Sequence, residues 1–177
     1  MIETIIDQRR RSLGGLLEVG RVLPAQKQLM VGPFIFFDHI GPIDIPVGID
    51  RSADTRAHPH IGLSTVTYLF SGEMMHRDSL GYALPVRPQE VNWMTAGRGI
   101  THSERLEKGR AAGDRIHGIQ AWVALPDEHE ETDPGFAHYE GEDLPYWDEA
   151  GVRGHLIAGS AYGLTARART HSPLFYA

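Results

Sequence analysis

Two short histidine-bearing segments carry the chemistry of this sequence. His58-Pro59-His60 places two imidazoles at positions i and i+2, and His102-Ser103-Glu104 repeats the spacing with a carboxylate in the second place. In a β-strand, residues two apart point to the same face. Each pair can therefore aim two donor groups at one point. If the two strands lie side by side, His58, His60, His102 and Glu104 meet at one centre. Three imidazoles and a carboxylate form an N/O donor set that suits one divalent ion, whether Fe(II), Mn, Ni, Cu or Zn. Four protein ligands on a five- or six-coordinate ion leave positions open for a substrate or O2, unlike a closed tetrahedral structural site.

The elements that must position these residues are strands. Apolar residues recur with period two in short runs closed by Gly, Pro, Asp or Asn, and helix signals are scarce. Strand candidates are Leu16–Val22, Phe34–Phe37 ahead of the breaker Gly41-Pro42, Ser64–Phe70 ending at Ser71-Gly72, Glu73–Arg77 as its hairpin partner, Gln89–Met94, Ile116–Leu125 and Val152–Ala158. Many short strands separated by turn signals predict an all-β sandwich or closed barrel. The acidic stretch 127–143 reads as a surface excursion with a strand near Ala137–Tyr139. Residues 164–177 carry little core material and read as a linker.

Composition narrows the function classes. The 177 residues suffice for one domain, and 41% apolar content supports a core. The net charge of −6 and the lack of any basic cluster beyond Arg9-Arg10-Arg11 exclude direct nucleic-acid binding. The absence of cysteine excludes disulfides, thiolate catalysis and thiolate metal sites. No apolar run approaches the length of a membrane span and no signal-peptide core is present, so the expectation is a cytoplasmic protein.

Three longer strings carry a resemblance. Gly32–Pro42 (GPFIFFDHIGP), His58–Gly81 (HPHIGLSTVTYLFSGEMMHRDSLG) and Val91–Arg105 (VNWMTAGRGITHSER) are similar to the pirin family of the cupin superfamily. The resemblance implies a cupin-type antiparallel β-barrel, or jelly roll, with the metal held by His58, His60, His102 and Glu104. Many cupins carry a glutamate ligand where Thr65 stands here, and the pirin pattern takes its carboxylate from Glu104 instead. Pirins have two cupin domains, so residues 1–163 correspond to the N-terminal one. Residues 164–177 correspond to a linker and the start of a second cupin that the chain otherwise lacks, a segment through which copies could self-associate.

The implied function is a metal-dependent dioxygenase of the quercetin 2,3-dioxygenase type. It would take a small aromatic flavonol and O2, with Glu104 as ligand and catalytic base. The alternative is a metal- or redox-sensing regulator that binds a transcription factor or a metabolic enzyme.

Other motifs read blandly. His76-Arg77-Asp78 matches the catalytic-loop tripeptide of protein kinases, but Ala83 stands where the required Asn would be. Gly97-Arg98-Gly99 is a turn, since no third glycine or helix follows. His129 reads as solvated. Asp38-His39 sits at a strand end, either as a structural hydrogen-bonding pair or as a support to the metal. Phe34, Phe36, Trp93 and Met94 are core or pocket residues.

Overall fold

The computed structural model describes residues 4–12 and 18–177. Eleven strands and one short helix build the main body: β1 (Arg9–Ser12), β2 (Glu18–Leu23), β3 (Phe34–Ile45), β4 (Thr55–His60), β5 (Leu63–Ser71), β6 (Met74–Asp78), β7 (Ala83–Val86), β8 (Val91–Thr95), β9 (Ile100–Arg105), α1 (Glu107–Ala112), β10 (Asp114–Ala124) and β11 (Gly135–Tyr139). They form a seven-stranded sheet of order β1-β2-β3-β10-β5-β8-β11 and a four-stranded sheet of order β4-β9-β6-β7. All their pairings are antiparallel. The chain passes repeatedly from one sheet to the other. The result is a cupin-type jelly roll made of two sheets that are not hydrogen-bonded into one closed cylinder. Among the described residues no helix is long and apolar enough to cross a membrane.

Period-two patterning sorts the side chains into layers. Val19, Ile40, Ile45, Leu69, Met74, Val86, Leu106 and Ile116 pack into one core cluster, which joins strands of the seven-stranded sheet to β6 and β7 of the other. Alternate residues of the large sheet, among them Val66, Trp93, Ala121 and Val123, form a second cluster with Leu144, Ile157, Ala168 and Tyr176. The chain after residue 140 supplies this second layer through β12 (Tyr146–Glu149), β13 (Val152–His155), β14 (Ala158–Ala161), β15 (Leu164–Thr165) and β16 (Phe175–Tyr176). Residues 164–177 therefore carry core material, contrary to expectation. β16 pairs with β14, and the Tyr176 ring meets Phe34 edge-on at 5.4 Å. Ala168 stands between two arginines and Tyr176 lies in the four-residue apolar run Leu174–Ala177, too short for a periodicity to announce either.

Two further expectations change. Gly41-Pro42 does not end the strand at Phe37, because β3 runs on to Ile45 and absorbs the pair in a register shift opposite Ile116–Gly118. A bulge adds a residue without stopping the ladder. Gly41 has a φ of +71°, and a Cβ there would collide with the Ile116 carbonyl, which is why glycine occupies it. Residues 73–77 are not a hairpin partner of β5. Gly72, at φ +85°, turns the chain across to the other sheet, where β6 pairs with β7 and β9. The excursion at 127–143 contains β11, as expected, paired to β8.

Candidate metal centre

Strands β4 and β9 are neighbours, and their register sets His58 directly opposite His102. A bulge on β4 between Thr55 and His58 places two exposed residues, Arg56 and Ala57, side by side. The Arg56 carbonyl accepts a hydrogen bond from His58 Nδ1 at 2.8 Å. That leaves His58 Nε2 with its lone pair. One ring nitrogen each of His58, His60 and His102 lies within 4.8 Å of the other two. His60 Nε2 and His102 Nε2 are 3.1 Å apart. Two imidazole nitrogens at about 2.1 Å from a shared ion and at near-right angles would be about 3 Å apart, so the spacing fits a common metal. The trio is placed so that one divalent ion could take a nitrogen from each ring.

Burial tunes these rings. His60 and His102 are almost inaccessible. Desolvation, reinforced by the neighbouring imidazoles, lowers the pKa of His60 to about 4 and that of His102 to about 2. Both are therefore neutral at ordinary pH, the form that can ligate a metal.

Glu104 faces the same cavity but lies outside the tight trio. The antiparallel register explains this. His60 and Glu104 extend in opposite directions from the central His58–His102 pair, opposite Ile100 and Thr55 respectively. Burial pushes the Glu104 carboxyl up, while His58 and a hydrogen bond from the Thr67 hydroxyl pull it back.

The cavity, about 290 Å³, lies between the sheets. Val19, Phe36, Ile40, Met74 and Trp122 give it apolar walls. The Phe36 and Trp122 rings stack at 4.0 Å, and Trp122 meets His60 edge-on at 5.0 Å. Arg21 and Asp38 face the same space as a bidentate pair at 2.9 and 2.8 Å, with the guanidinium 4.2 Å above the Phe36 ring. A larger groove of about 550 Å³ is lined by Arg51, Arg56, Arg105 and Arg110 with Asp50, Asp54 and Glu107. It holds no imidazole, so the smaller cavity is the candidate site.

Asp38 and His39 divide between two faces. Asp38 points inward, and His39 points out to meet His117. Of the aromatic candidates, Phe36 lines the cavity. Phe34 and Trp93 belong to the outer cluster, and Met94 joins Ala96 and Ile100 in a third. His129 meets His171 with ring centroids 4.6 Å apart and planes tilted by 58°. Sequence reading passed over Arg21, Gln120 and Trp122. For Arg21 a signal existed: in β2 it shares a face with buried Val19, and a cation on an apolar face calls for a partner.

Residues 16–123 match the Pirin family model. The chain belongs to the pirin family. This pirin is 56% identical over 177 residues to the pirin-like protein of Caulobacter vibrioides, covering 99% of this chain and 61% of that one. A crystal structure of quercetin 2,3-dioxygenase from Acinetobacter baumannii superposes with a TM-score of 0.88 at 38% identity, covering 96% of this chain and 54% of that one. A second structure under the same description from that organism gives 0.85 at 29% identity, covering 96% and 60%. The pirin chain thus spans little more than half the length of these relatives.

Proposed function

We propose that this pirin holds one divalent metal ion, Fe(II) foremost, through His58, His60, His102 and Glu104, and acts as a flavonol dioxygenase of the quercetin 2,3-dioxygenase type. The observation that carries the reading is the trio of neutral imidazoles at the wall of a small, mainly apolar cavity. The similarity to the Acinetobacter structures supports the substrate class. Residues 1–163 form the metal-bearing domain, and residues 164–177 cap it through Ala168 and Tyr176.

When bound, the metal supplies the redox couple and the open positions at which substrate oxygen and O2 are brought together. The chain's own residues do the rest. The stacked Phe36 and Trp122 rings offer a flat apolar wall to a flat polyphenol. Glu104, on the cavity wall, accepts the proton of the flavonol 3-hydroxyl. Thr67 orients the carboxylate. Both oxygen atoms of O2 enter the products as the heterocyclic ring opens and one ring carbon leaves as carbon monoxide.

The test is O2 uptake and carbon monoxide release by the Fe(II)-loaded protein given quercetin. Stoichiometric consumption of the two substrates is expected. A fully loaded protein that consumes no O2 would turn the assignment toward the regulatory alternative.

A further inference from the structure

His76 and Asp78 do not line the cavity, and the functional reading above makes no use of them. They lie on β6 beside β9, in register with Glu104 and His102. Both are sealed from solvent, with side chains 5% and 0% exposed. Asp78 Oδ2 is 2.8 Å from His76 Nε2. Asp78 Oδ1 accepts from the backbone N–H groups of Leu80 at 2.9 Å and Tyr82 at 3.1 Å. Phe136 stacks on the His76 ring at 4.4 Å, fixing its plane. On the far side, His76 Nδ1 stands 3.4 Å from His102 Nδ1.

The donors and acceptors in this chain admit one arrangement. A carboxylate oxygen only accepts, so His76 Nε2 carries the hydrogen. A neutral imidazole has a single N–H, so His76 Nδ1 is an acceptor. The hydrogen between the two Nδ1 atoms therefore belongs to His102. His102 Nε2 is left with its lone pair, on the side facing His60 and the cavity. The short His60–His102 contact then has His60 Nε2 as donor, through a hydrogen that an incoming metal ion displaces.

We propose that Asp78 and His76 are positioning residues that hold His102 in the Nδ1–H tautomer, so that its Nε2 is presented to the metal. The inference rests on the reading of His102 as a ligand. His58 gains the same orientation from a backbone carbonyl, which cannot reverse its polarity. The orientation of His102 instead depends on two side chains, and it is reversible by substitution. In Asp78→Asn the two backbone N–H groups keep the amide oxygen at the Oδ1 position, and the amide NH2 faces His76. Each hydrogen bond in the chain then inverts, and His102 carries its hydrogen on Nε2, from which a metal ion can displace it only by setting His102 Nδ1–H against His76 Nδ1–H, so binding weakens.

The experiment is ¹⁵N NMR of the imidazole rings in histidine-labelled, metal-free protein, with nickel(II) titration of the same samples. Nickel(II) serves as an air-stable divalent probe that accepts imidazole ligands. Wild type is expected to show His102 as Nδ1–H and Asp78→Asn to show it as Nε2–H. Nickel(II) binding by the variant should be roughly 10–100-fold weaker, the usual consequence of losing a partner that orients a ligand. His76→Phe keeps the stack on Phe136 but offers no acceptor, so it should lose the tautomer preference. Wild type with the hydrogen on His102 Nε2 overturns the proposal, and so does an Asp78→Asn protein with unchanged tautomer and nickel(II) affinity. The wild-type spectrum decides even if a variant fails to fold. A wild-type protein that takes up no nickel(II) would sink the metal reading alone, because the metal-free spectra decide the tautomer separately.

Discussion

Two places in this pirin bring imidazole nitrogens into direct contact, and they differ in their surroundings. Between the sheets, His60 and His102 meet at 3.1 Å, with His58 completing the trio. On the outer face of the large sheet, His39 and His117 meet at 2.8 Å. The inner rings have partners that fix their remote nitrogens: the Arg56 carbonyl for His58 and His76 for His102. The inner centre also has an adjacent carboxylate and an apolar cavity. Beside the outer pair, His39 borders a groove whose walls include the polar side chains of Gln8, Arg10 and Glu18. The outer pair is half-exposed, and Phe70 packs against His117 at 4.8 Å. A short contact between histidines is thus not a site. A third donor, oriented rings and a space for substrate make one.

The sharpest way to break this contrast is to delete one ring at each place. His102→Ala should weaken nickel(II) binding by more than about 100-fold, beyond the range typical for an outer partner. His117→Ala should leave it unchanged. Calorimetric titration of both variants checks this, and equal losses would erase the distinction between the two places.

Glu104→Gln tests the carboxylate that stands slightly apart. Nickel(II) affinity should fall roughly 10–100-fold if Glu104 supports the metal from that distance. Quercetin-dependent O2 uptake should vanish even at saturating metal. The metal-free variant should be more stable than wild type at neutral pH, since it no longer buries a carboxyl that resists ionisation. A loaded Glu104→Gln protein with full turnover would remove the base role.

Acidification tests the inner place through stability, with His117 of the outer pair shifted in the same direction. His60 and His102 have folded-state pKa values near 4 and 2, below the unfolded value of about 6.5. Between those limits the unfolded chain binds more protons, so stability falls as pH drops through 6.5 toward 4. Each unit of depression is worth about 1.4 kcal/mol. Glu104, with its pKa raised, acts in the opposite sense at the upper end of the carboxylate range. Urea unfolding of metal-free protein at pH 7 and pH 4.5 should show the loss, and His102→Gln should reduce it. The same depression shifts proton competition for metal at His60 and His102 well below the pH 6 expected of free imidazole. A pH-independent midpoint would mean that these rings are not buried neutral.

The smallest effect belongs to the outer pair. His39→Gln should cost about 1 kcal/mol, the net worth of one hydrogen bond, with metal affinity untouched. A thermal unfolding scan measures it.

Much of the centre was legible because β-strand geometry is local. The i, i+2 spacing alone puts His58 with His60 and His102 with Glu104 on shared faces, whatever the rest of the chain does. The same rule marks Asp38 as facing the opposite way from His39, and the structure divides them so. Register is not local. It depends on which strands become neighbours and where a bulge falls, and the β4 bulge and the antiparallel sense together set Glu104 apart from His60. For the same reason β6 was assigned to the wrong sheet. Hairpin pairing is the default for consecutive strands, and only the turn at Gly72 redirects this one.

From the sequence alone came the all-β class, which rests on short-range periodicity, the family, which rests on three motif strings, and the closeness of His58, His60 and His102, which rests on residue type and strand spacing. Tertiary structure decided which groups meet across the sheets: Arg21 with Asp38, Phe36 with Trp122, and Asp78 with His76 and His102. It also decided that Tyr176 closes the outer layer over Phe34. Such pairings join residues far apart in the chain, and they are selected by packing and by the need to satisfy buried polar groups, which no local pattern encodes.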